Sequence, residues 1–258
     1  TTEIYTLSLH DALPISVSGG GLLVLFILVL LGAMLAGGFA AVTANRVAYK
    51  PLRDKPRLSS LITAIGVSMF IEYFFSALPG IGPSFRGFPE VFPKTIIKLG
   101  SASVSNYVII DVLVAAVLMI FLTLLVRFSK IGKAMRAVSQ DKEAAKLMGI
   151  NIERIIGVTF LIGGAFAGVA GLLSGLTYPR IFPYMGILPG LKAFVAAVLG
   201  GIGNIPGAML GSYIMGIAET YATAANSLIG EGIAFAILIV VLLIRPQGIL
   251  GEKTADKI

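Results

Sequence analysis

Long apolar stretches with few charged residues alternate with short basic segments along most of this chain. The apolar stretches fall at 21–44, 58–78, 107–126, 155–176, 187–199, 205–222 and 229–244. About 20 consecutive apolar residues suffice for a helix to cross a bilayer, so most of these stretches are long enough to span one. The pattern predicts an all-α, polytopic membrane protein with about six to seven spans or half-spans.

Composition agrees with a membrane protein and excludes several kinds of chemistry. The 258 residues are 57% hydrophobic and only 13% charged, with a mean hydropathy of +0.95, whereas soluble domains are about 25% charged. The chain has no cysteine and a single histidine, His10, which excludes disulfides, thiolate catalysis and a histidine metal site. The net charge of +7 sits in loops beside apolar stretches, which anionic lipid explains without nucleic acid as a partner.

Two segments between the apolar stretches are rich in lysine and arginine. Residues 127–154 hold seven Lys or Arg against three Asp or Glu, and residues 46–57 hold five against one. A Lys/Arg excess in short loops marks the cytoplasmic side of a membrane protein. We therefore predict that both segments and the tail from Arg245 are cytoplasmic, and that 79–106 and 177–186 lie outside.

The longer basic segment, 127–154, has the pattern of two short amphipathic helices. The first has an apolar face at helical spacing, formed by Ile131, Ala134, Met135 and Val138. The second is predicted at 141–148, with Asp141 as its cap and Gly149 at its exit. Its expected apolar face is Ala144, Ala145 and Met148. The pair is either a docking element for a soluble partner or a solvated connector lying on anionic lipid.

A glycine-rich break, GGIGNIPG at 200–207, interrupts the last third of the chain. Broken helices at membrane depth occur where protein buries them or water lines them, and paired half-helices often frame a permeation path with helix N-termini that can bind a carboxylate. The predicted translocation residues are Gly200, Gly201, Gly203, Asn204, Pro206, Gly207 and Glu219. The alternative is a tight hairpin whose small residues pack against neighbouring helices.

Charged residues also fall within or near the apolar stretches, where ionisable groups are costly and often functional. Glu219 is predicted either to face the pathway or to accept hydrogen bonds from neighbouring groups. Glu72 and Asp111 are expected near the outer interface. Lys192 is expected to extend its ammonium group to that interface.

Several stretches resemble a known family. Glu143, Ala144, Ala145 and Gly149 match the EAA-x-x-x-G pattern in the coupling loop of ATP-binding-cassette (ABC) importer permeases. IGKAMRAVSQDKEAAKLMGINIERI, KAFVAAVLGGIGNIPGAMLGSYIMGIAE, RPQGILG and NRVAYKPLR resemble the high-affinity branched-chain amino acid permeases of the LivH type. The broader importer motif continues to Ile-x-Leu-Pro, whereas this chain has GVTFLIG at 157–163, so only the first half of that motif matches.

The resemblance implies one ABC-importer permease domain over 17–258, with 127–154 as the cytoplasmic coupling loop, in a bacterial or archaeal plasma (inner) membrane. The implied coupling residues are Ile131, Met135, Glu143, Ala144, Ala145 and Gly149. The implied partners are a second homologous permease subunit, two cytoplasmic ATPases that use ATP and Mg, and a periplasmic or extracellular protein delivering leucine, isoleucine or valine. The chain itself has no nucleotide-binding motif, so we expect a permease that is not an enzyme and binds no cofactor.

Two other functions remain as alternatives. An ion-coupled secondary transporter of small solutes would use the same spans without a docking helix, and Glu219 is the residue that favours it. A membrane-embedded enzyme would need histidines, cysteines or paired acids at catalytic spacing, and the spans do not offer them.

The first sixteen residues differ in character from the rest. TLSLHDALPI, at 6–15, looks like the translation of a sequencing adapter, and we interpret 1–16 as a non-native tail, the alternative being a genuine disordered terminus. The first spans of the resembling family, with their Asn-Phe-Ala-His-Gly motif, have no counterpart here.

Overall fold

The structure, a computed structural model, describes residues 19–53, 55–79, 82–88, 95–99, 102–201, 203–245 and 247–251. The predicted non-native tail at 1–16 lies outside these residues. Of the described chain 79% is helical, and the all-α class predicted from the apolar stretches is confirmed.

Long apolar helices occur at every stretch predicted to be apolar and helical. They are α1 (Gly19–Ala44), α2 (Arg57–Ala77), α3 (Asn106–Phe128), α6 (Ile152–Thr177), α7 (Ile187–Gly200), α8 (Ile205–Ala225) and α9 (Ser227–Ile244). Two short polar helices, α4 (Lys130–Gln140) and α5 (Lys142–Leu147), lie between α3 and α6. After α1 the chain makes a π-helical turn, Asn45–Tyr49, and a 3-10 turn, Lys50–Leu52.

By length and hydropathy, three helical stretches of the described chain are able to cross a membrane: Val24–Leu52, Asn106–Phe128 and Ile152–Thr177. A fourth candidate is the pair α7 and α8, which is bent by 117° and forms either a broken span or a re-entrant loop. Ile62–Ala77 is a shorter apolar helix. The spans that pass this test are therefore fewer than the six to seven predicted spans or half-spans, because several apolar helices are short or bent.

Helices α1 and α6 form the most extensive helix pair, and glycines bring their backbones together. A Cβ atom placed on Gly37 would overlap the carbonyl oxygen of Gly164, and one placed on Gly168 would overlap that of Ala33. Small residues at such crossings let two membrane helices approach closely enough for backbone packing.

Four short strands lie at the end of the bundle predicted to be external: β1 (Arg86–Gly87), β2 (Ile96–Leu99), β3 (Ala102–Ser105) and β4 (Arg180–Ile181). β2 and β3 form an antiparallel hairpin with Ile96 opposite Ser105. β1 pairs antiparallel with β4, with Arg86 opposite Ile181. The second pairing joins the two segments that the charge pattern places outside, and no strand was predicted there.

Two buried clusters form the core of the described chain. One joins α7 to α8 and contains Val195, Ala196, Leu199 and Met215, with α9 packed against it. The other contains Tyr107, Leu172 and Leu176, with α1 packed against it. Many large apolar side chains outside these clusters are exposed, as expected of helices whose outer faces contact lipid.

Candidate functional site

The elbow, residues 129–151, is the structured form of the basic segment between α3 and α6. The Ser129 hydroxyl accepts a hydrogen bond from the Gly132 amide (2.9 Å) at the start of α4. The carboxylate of Asp141 accepts from the amides of Glu143 (2.9 Å) and Ala144 (3.1 Å) at the start of α5. The predicted cap is confirmed, and it fixes the angle between the two helices.

A glycine turn ends the elbow and leads into α6. The amide of Ile150 donates to the carbonyl of Ala145 (3.0 Å), and Gly149 adopts a φ of +78°, a left-handed conformation that glycine adopts without steric cost. Asn151 then caps α6 by accepting from the amide of Arg154 (3.0 Å). The elbow therefore passes into α6 without a flexible linker.

The base of the elbow is fixed to α3. Arg136 donates to the carbonyl of Val126 and to that of Arg127 (3.3 Å), which are free acceptors at the helix end. A Cβ atom on Gly132 would overlap the Val126 carbonyl, so only glycine permits this approach. α4 is therefore attached to the end of α3 through both a side chain and a close backbone approach.

The tip of the elbow exposes apolar side chains. Ala145 is 4% exposed, whereas Ala144 is exposed, Leu147 is 88% exposed and Met148 is 83% exposed. Of the predicted apolar face of α5, this chain therefore covers Ala145 and leaves Ala144 and Met148 uncovered. A six-residue helix turns one small side chain toward its neighbour, and Met148 belongs to the turn that follows it.

The predicted apolar face of α4 is buried at one end only. Val138 is 7% exposed, Ala134 and Met135 are half-buried, and Ile131 is 44% exposed. Of the coupling residues implied by the resemblance, Ile131, Glu143, Ala144 and Gly149 are thus accessible. Ala145 is covered by the protein itself, and Met135 is partly covered.

A polar cluster joins the elbow side of α6 to the first basic segment. Arg53 donates to Glu153 and to the side-chain oxygen of Asn45 (3.1 Å), and Lys50 lies 3.4 Å from Glu153. Asn45 is buried. The two segments predicted to be cytoplasmic therefore lie at the same end of the bundle. These contacts were not predicted, because they join positions about a hundred residues apart.

The α7–α8 junction, residues 199–207, is built from close backbone contacts. α7 ends at Gly200. Two of the residues that follow, Gly201 and Gly203, adopt φ values of +107° and +93°. Asn204 then caps α8 by accepting a hydrogen bond from the amide of Gly207 (2.9 Å). A Cβ atom on Gly200 would overlap the carbonyl group of Gly207. The predicted helix break is present, and α7 and α8 are bent by 117° across it.

The C-terminal segment covers this junction. The amides of Ile249 and Leu250 donate to the carbonyls of Leu199 (2.8 Å) and Gly200 (3.1 Å), and the Asn204 side chain donates to the Leu250 carbonyl (2.9 Å). Of the predicted translocation residues, three glycines are buried in these contacts: Gly200, Gly201 and Gly207. Gly203 and Pro206 are exposed. Whether the junction frames a pathway stays a prediction.

A polar cavity of about 920 Å³ lies between α3, α6, α7 and α8. In it Lys192 donates to Glu219, and the Thr177 hydroxyl donates to a carboxylate oxygen of Asp111 (2.6 Å). Neither contact was predicted from the sequence, and the expected position of Lys192 and Asp111 near the outer interface stays a prediction. Glu219 is about 21 Å along α8 from Ile205, far from the glycines of the junction.

The described residues include no group of three or more His, Asp or Glu side chains placed to hold a metal ion. Glu72, on α2, accepts a hydrogen bond from Ser68 (2.9 Å) and is half-buried. Charged groups of the described chain are therefore organised at the cavity, at the elbow and in the polar cluster beside the elbow.

Apolar helices around a charged cavity, with a basic elbow at one end, define a multi-pass membrane permease. A family model described as "Branched-chain amino acid transport system / permease component" matches residues 3–242. The chain belongs to this family of branched-chain amino acid transport permeases, and it is a multi-pass protein of the prokaryotic plasma membrane.

Curated relatives agree with this assignment. The chain is 42% identical to the high-affinity branched-chain amino acid transport system permease protein LivH of Escherichia coli K12 over 238 residues, covering 88% of this chain and 75% of the relative. It is 41% identical to LivH of Salmonella typhimurium over 239 residues, with the same coverage. It is 42% identical to BraD of Pseudomonas aeruginosa over 220 residues, covering 83% and 71%. No solved structure matches the chain.

Proposed function

We propose that this chain is the translocating subunit of an ATP-driven importer of branched-chain amino acids, and that the elbow receives force from a cytoplasmic ATPase. Its partners are a second homologous permease subunit, two ATPases that hold ATP and Mg, and a binding protein that delivers leucine, isoleucine or valine from outside. The observation that carries the proposal is the exposure of Leu147 and Met148 at the tip of a rigidly capped elbow.

An exposed apolar tip next to charged residues has the composition of a docking surface. Large apolar groups outside the bilayer are costly to leave in water and mark interaction sites when they cluster. Glu143 and Lys146, both exposed, flank the tip and supply the polar rim that such interfaces usually have. A lipid-bound connector would also bury an apolar face, and the test below separates the two.

The connections at the base of the elbow explain how a push at the tip would reach the membrane. Arg136 ties α4 to the end of α3, and Asn151 starts α6 directly after the elbow. α6 is in turn packed backbone-to-backbone on α1. Displacement of the tip therefore tilts α3, α6 and α1 together, which is the rigid-body motion that alternating access requires.

An ion-coupled transporter is the second candidate, and one observation favours it. Asp111 has a buried carboxylate oxygen that accepts no hydrogen bond within the described residues, a feature typical of cation or proton sites in membrane transporters. Such a transporter has no need of an exposed apolar tip, so the docking test discriminates between the candidates.

The test is co-purification of the ATPase with a chain carrying Leu147→Gln. Leu147 is 88% exposed, so the change leaves the fold intact while removing an apolar contact at the interface. Loss of one well-packed interface side chain costs more than about 1.4 kcal/mol, which is a tenfold loss of affinity. We expect at least about tenfold less ATPase bound and a parallel loss of leucine uptake.

The matched control is Ile96→Gln, the same kind of change at an exposed apolar residue of β2, at the opposite end of the bundle. It should retain the ATPase fully. Unchanged ATPase binding by Leu147→Gln, together with unchanged uptake, would refute the docking role and favour the lipid-bound connector or the ion-coupled transporter.

A further inference from the structure

We infer that the polar cavity between α3, α6, α7 and α8 is a binding site for a free α-amino acid zwitterion, with Lys192 taking its carboxylate and Glu219 with Asp111 taking its ammonium. The inference rests on the proposed transport function and adds to it a substrate site within the permease. That site is distinct from the elbow and from the α7–α8 junction.

The charged groups of the cavity lie at one end of the bundle. Asp111 is in the first two turns of α3, Thr177 is the last residue of α6, and Lys192 is in the first two turns of α7. Each of these helix ends is the one farther from the elbow, since α3 runs into the elbow and α6 leaves it. With the elbow on the cytoplasmic side, the cavity lies toward the outside, where a binding protein would deliver its cargo.

The cavity carries complementary charges that a zwitterion can use. Among the described residues lining it, the acids and bases are Lys192, Glu219 and Asp111, two negative charges against one positive. Lys192 and Glu219 are paired and only partly exposed. One oxygen of Asp111 bonds to Thr177, and the other is buried without a hydrogen-bond partner in the described structure, so it becomes an acceptor for an ammonium group when the carboxylate turns toward the cavity.

A zwitterion can replace the internal ion pair without leaving a charge unpaired. Removing one partner of a buried pair is costly, because the remaining charge is left without compensation. An incoming amino acid separates Lys192 from Glu219 and gives each a new partner, its carboxylate and its ammonium respectively. The three N–H donors of the ammonium can serve Glu219 and the free oxygen of Asp111 together.

This exchange also predicts selectivity. An amine without a carboxylate leaves Lys192 unpaired, and a carboxylic acid without an ammonium leaves Glu219 unpaired. Sites whose polar groups are left without partners reject such analogues strongly. The volume of about 920 Å³ lies within the range of about 300–1,000 Å³ usual for small-molecule sites. Apolar walls at Ala193, Ala196 and Met215 suit an aliphatic side chain.

The first test uses the unaltered complex of both permease subunits and ATPases in lipid nanodiscs, without the binding protein. Binding of radiolabelled leucine is measured in competition with 3-methylbutylamine and with 4-methylpentanoate. We expect saturable leucine binding that neither analogue displaces at tenfold excess. The inference would be overturned if leucine binding were not saturable. It would also be overturned if the amine displaced leucine as effectively as unlabelled leucine does, because the cavity would then be a cation site.

The second test removes the ion pair with Lys192→Met combined with Glu219→Gln. The double variant leaves neither charge of the pair uncompensated, so it should assemble with its ATPases. We expect at least tenfold weaker leucine binding. The control is Lys50→Met, which removes an exposed cation at the opposite end of the bundle while Arg53 still pairs with Glu153, and it should bind leucine as the unaltered complex does.

Leucine binding at full strength by the cavity double variant would overturn the inference. These results are separable from the proposed function, because the elbow test reads ATPase co-purification and the cavity test reads leucine binding. A cavity variant that keeps its ATPase but loses leucine supports the inference. A complex that binds leucine without ATPase docking at the elbow would count against the proposed coupling and leave the substrate site standing.

Discussion

The elbow and the α7–α8 junction are both capped turns between helices, but they present opposite surfaces. At the elbow the caps hold Leu147 and Met148 out in solvent. At the junction the cap at Asn204 brings glycines into backbone contact, and the C-terminal segment covers them. Side chains thus dominate the surface of the elbow, and the backbone dominates the junction.

This difference explains why the two regions should respond differently to substitution. When a side chain that contacts a partner is replaced in an exposed turn, the protein still folds but binds the partner less well. A turn whose backbones touch has no room for an added atom, so even a methyl group disturbs the fold. Small residues in a sequence therefore do not by themselves distinguish a pathway from a packing site.

The largest effect is predicted for Gly200→Ala in the junction. Its added methyl group would overlap the Gly207 carbonyl. Because the backbone cannot move aside as a side chain can, we expect this overpacking to lower the free energy of unfolding by about 1–3 kcal/mol or more. The measurement is the thermal unfolding temperature of the purified chain in detergent. We expect a clear decrease or no folded protein.

The control for this prediction lies on the same helix. Gly190, also in α7, has open space where a Cβ atom would stand, and replacing a helical glycine by alanine gains about 0.5–1 kcal/mol. Gly190→Ala should therefore keep or raise the unfolding temperature. Equal stability of the two alanine variants would show that the junction is not packed as described.

A smaller, local effect is predicted from two neighbouring residues of the elbow. Ala145→Asp places a carboxylate where the side chain is 4% exposed, while Ala144→Asp places it in solvent. Burying an unpaired charge is costly. A helix as short as α5 can instead detach from the rest of the protein, so the loss of stability is limited to local opening of the elbow. Hydrogen exchange at the amides of 142–150 should become at least about tenfold faster in Ala145→Asp.

Ala144→Asp should leave that exchange unchanged and weaken ATPase binding alone. Equal protection in both variants would mean that α5 does not pack on α6. In that case the elbow would lack the rigid base that the coupling mechanism requires.

Most of the helices could be predicted from the sequence, because long apolar stretches leave few alternatives in a membrane. α3 was expected at 107–126 and is Asn106–Phe128. The charge pattern predicted that 46–57 and 127–154 lie on the same side of the membrane. The contact between Arg53 and Glu153 agrees, since it joins these two segments. The cap at Asp141 followed from local chemistry, since its hydrogen bonds reach only two or three residues along the chain.

Contacts between distant residues could not be predicted. Lys192 and Glu219 meet because α7 and α8 fold back on each other, and no sequence spacing encodes that angle. The burial of Gly200 and Gly201 depends on the C-terminal segment, whose contact with them follows from the tertiary fold. The exposure of Met148 depends on how few residues α5 contains, and helix ends are the least certain part of any sequence-based assignment.

The most direct test of the elbow's role is a cross-link from its tip. The chain has no cysteine, so Met148→Cys provides a unique thiol in it, which is labelled with a photoactivatable maleimide before the transporting complex is assembled. We predict covalent attachment to the ATPase subunit on illumination, and none from the same label at Ile96→Cys on β2. A label at Met148 that attaches only to lipid or to this chain, in a complex that still hydrolyses ATP and imports leucine, would contradict the coupling role of the elbow.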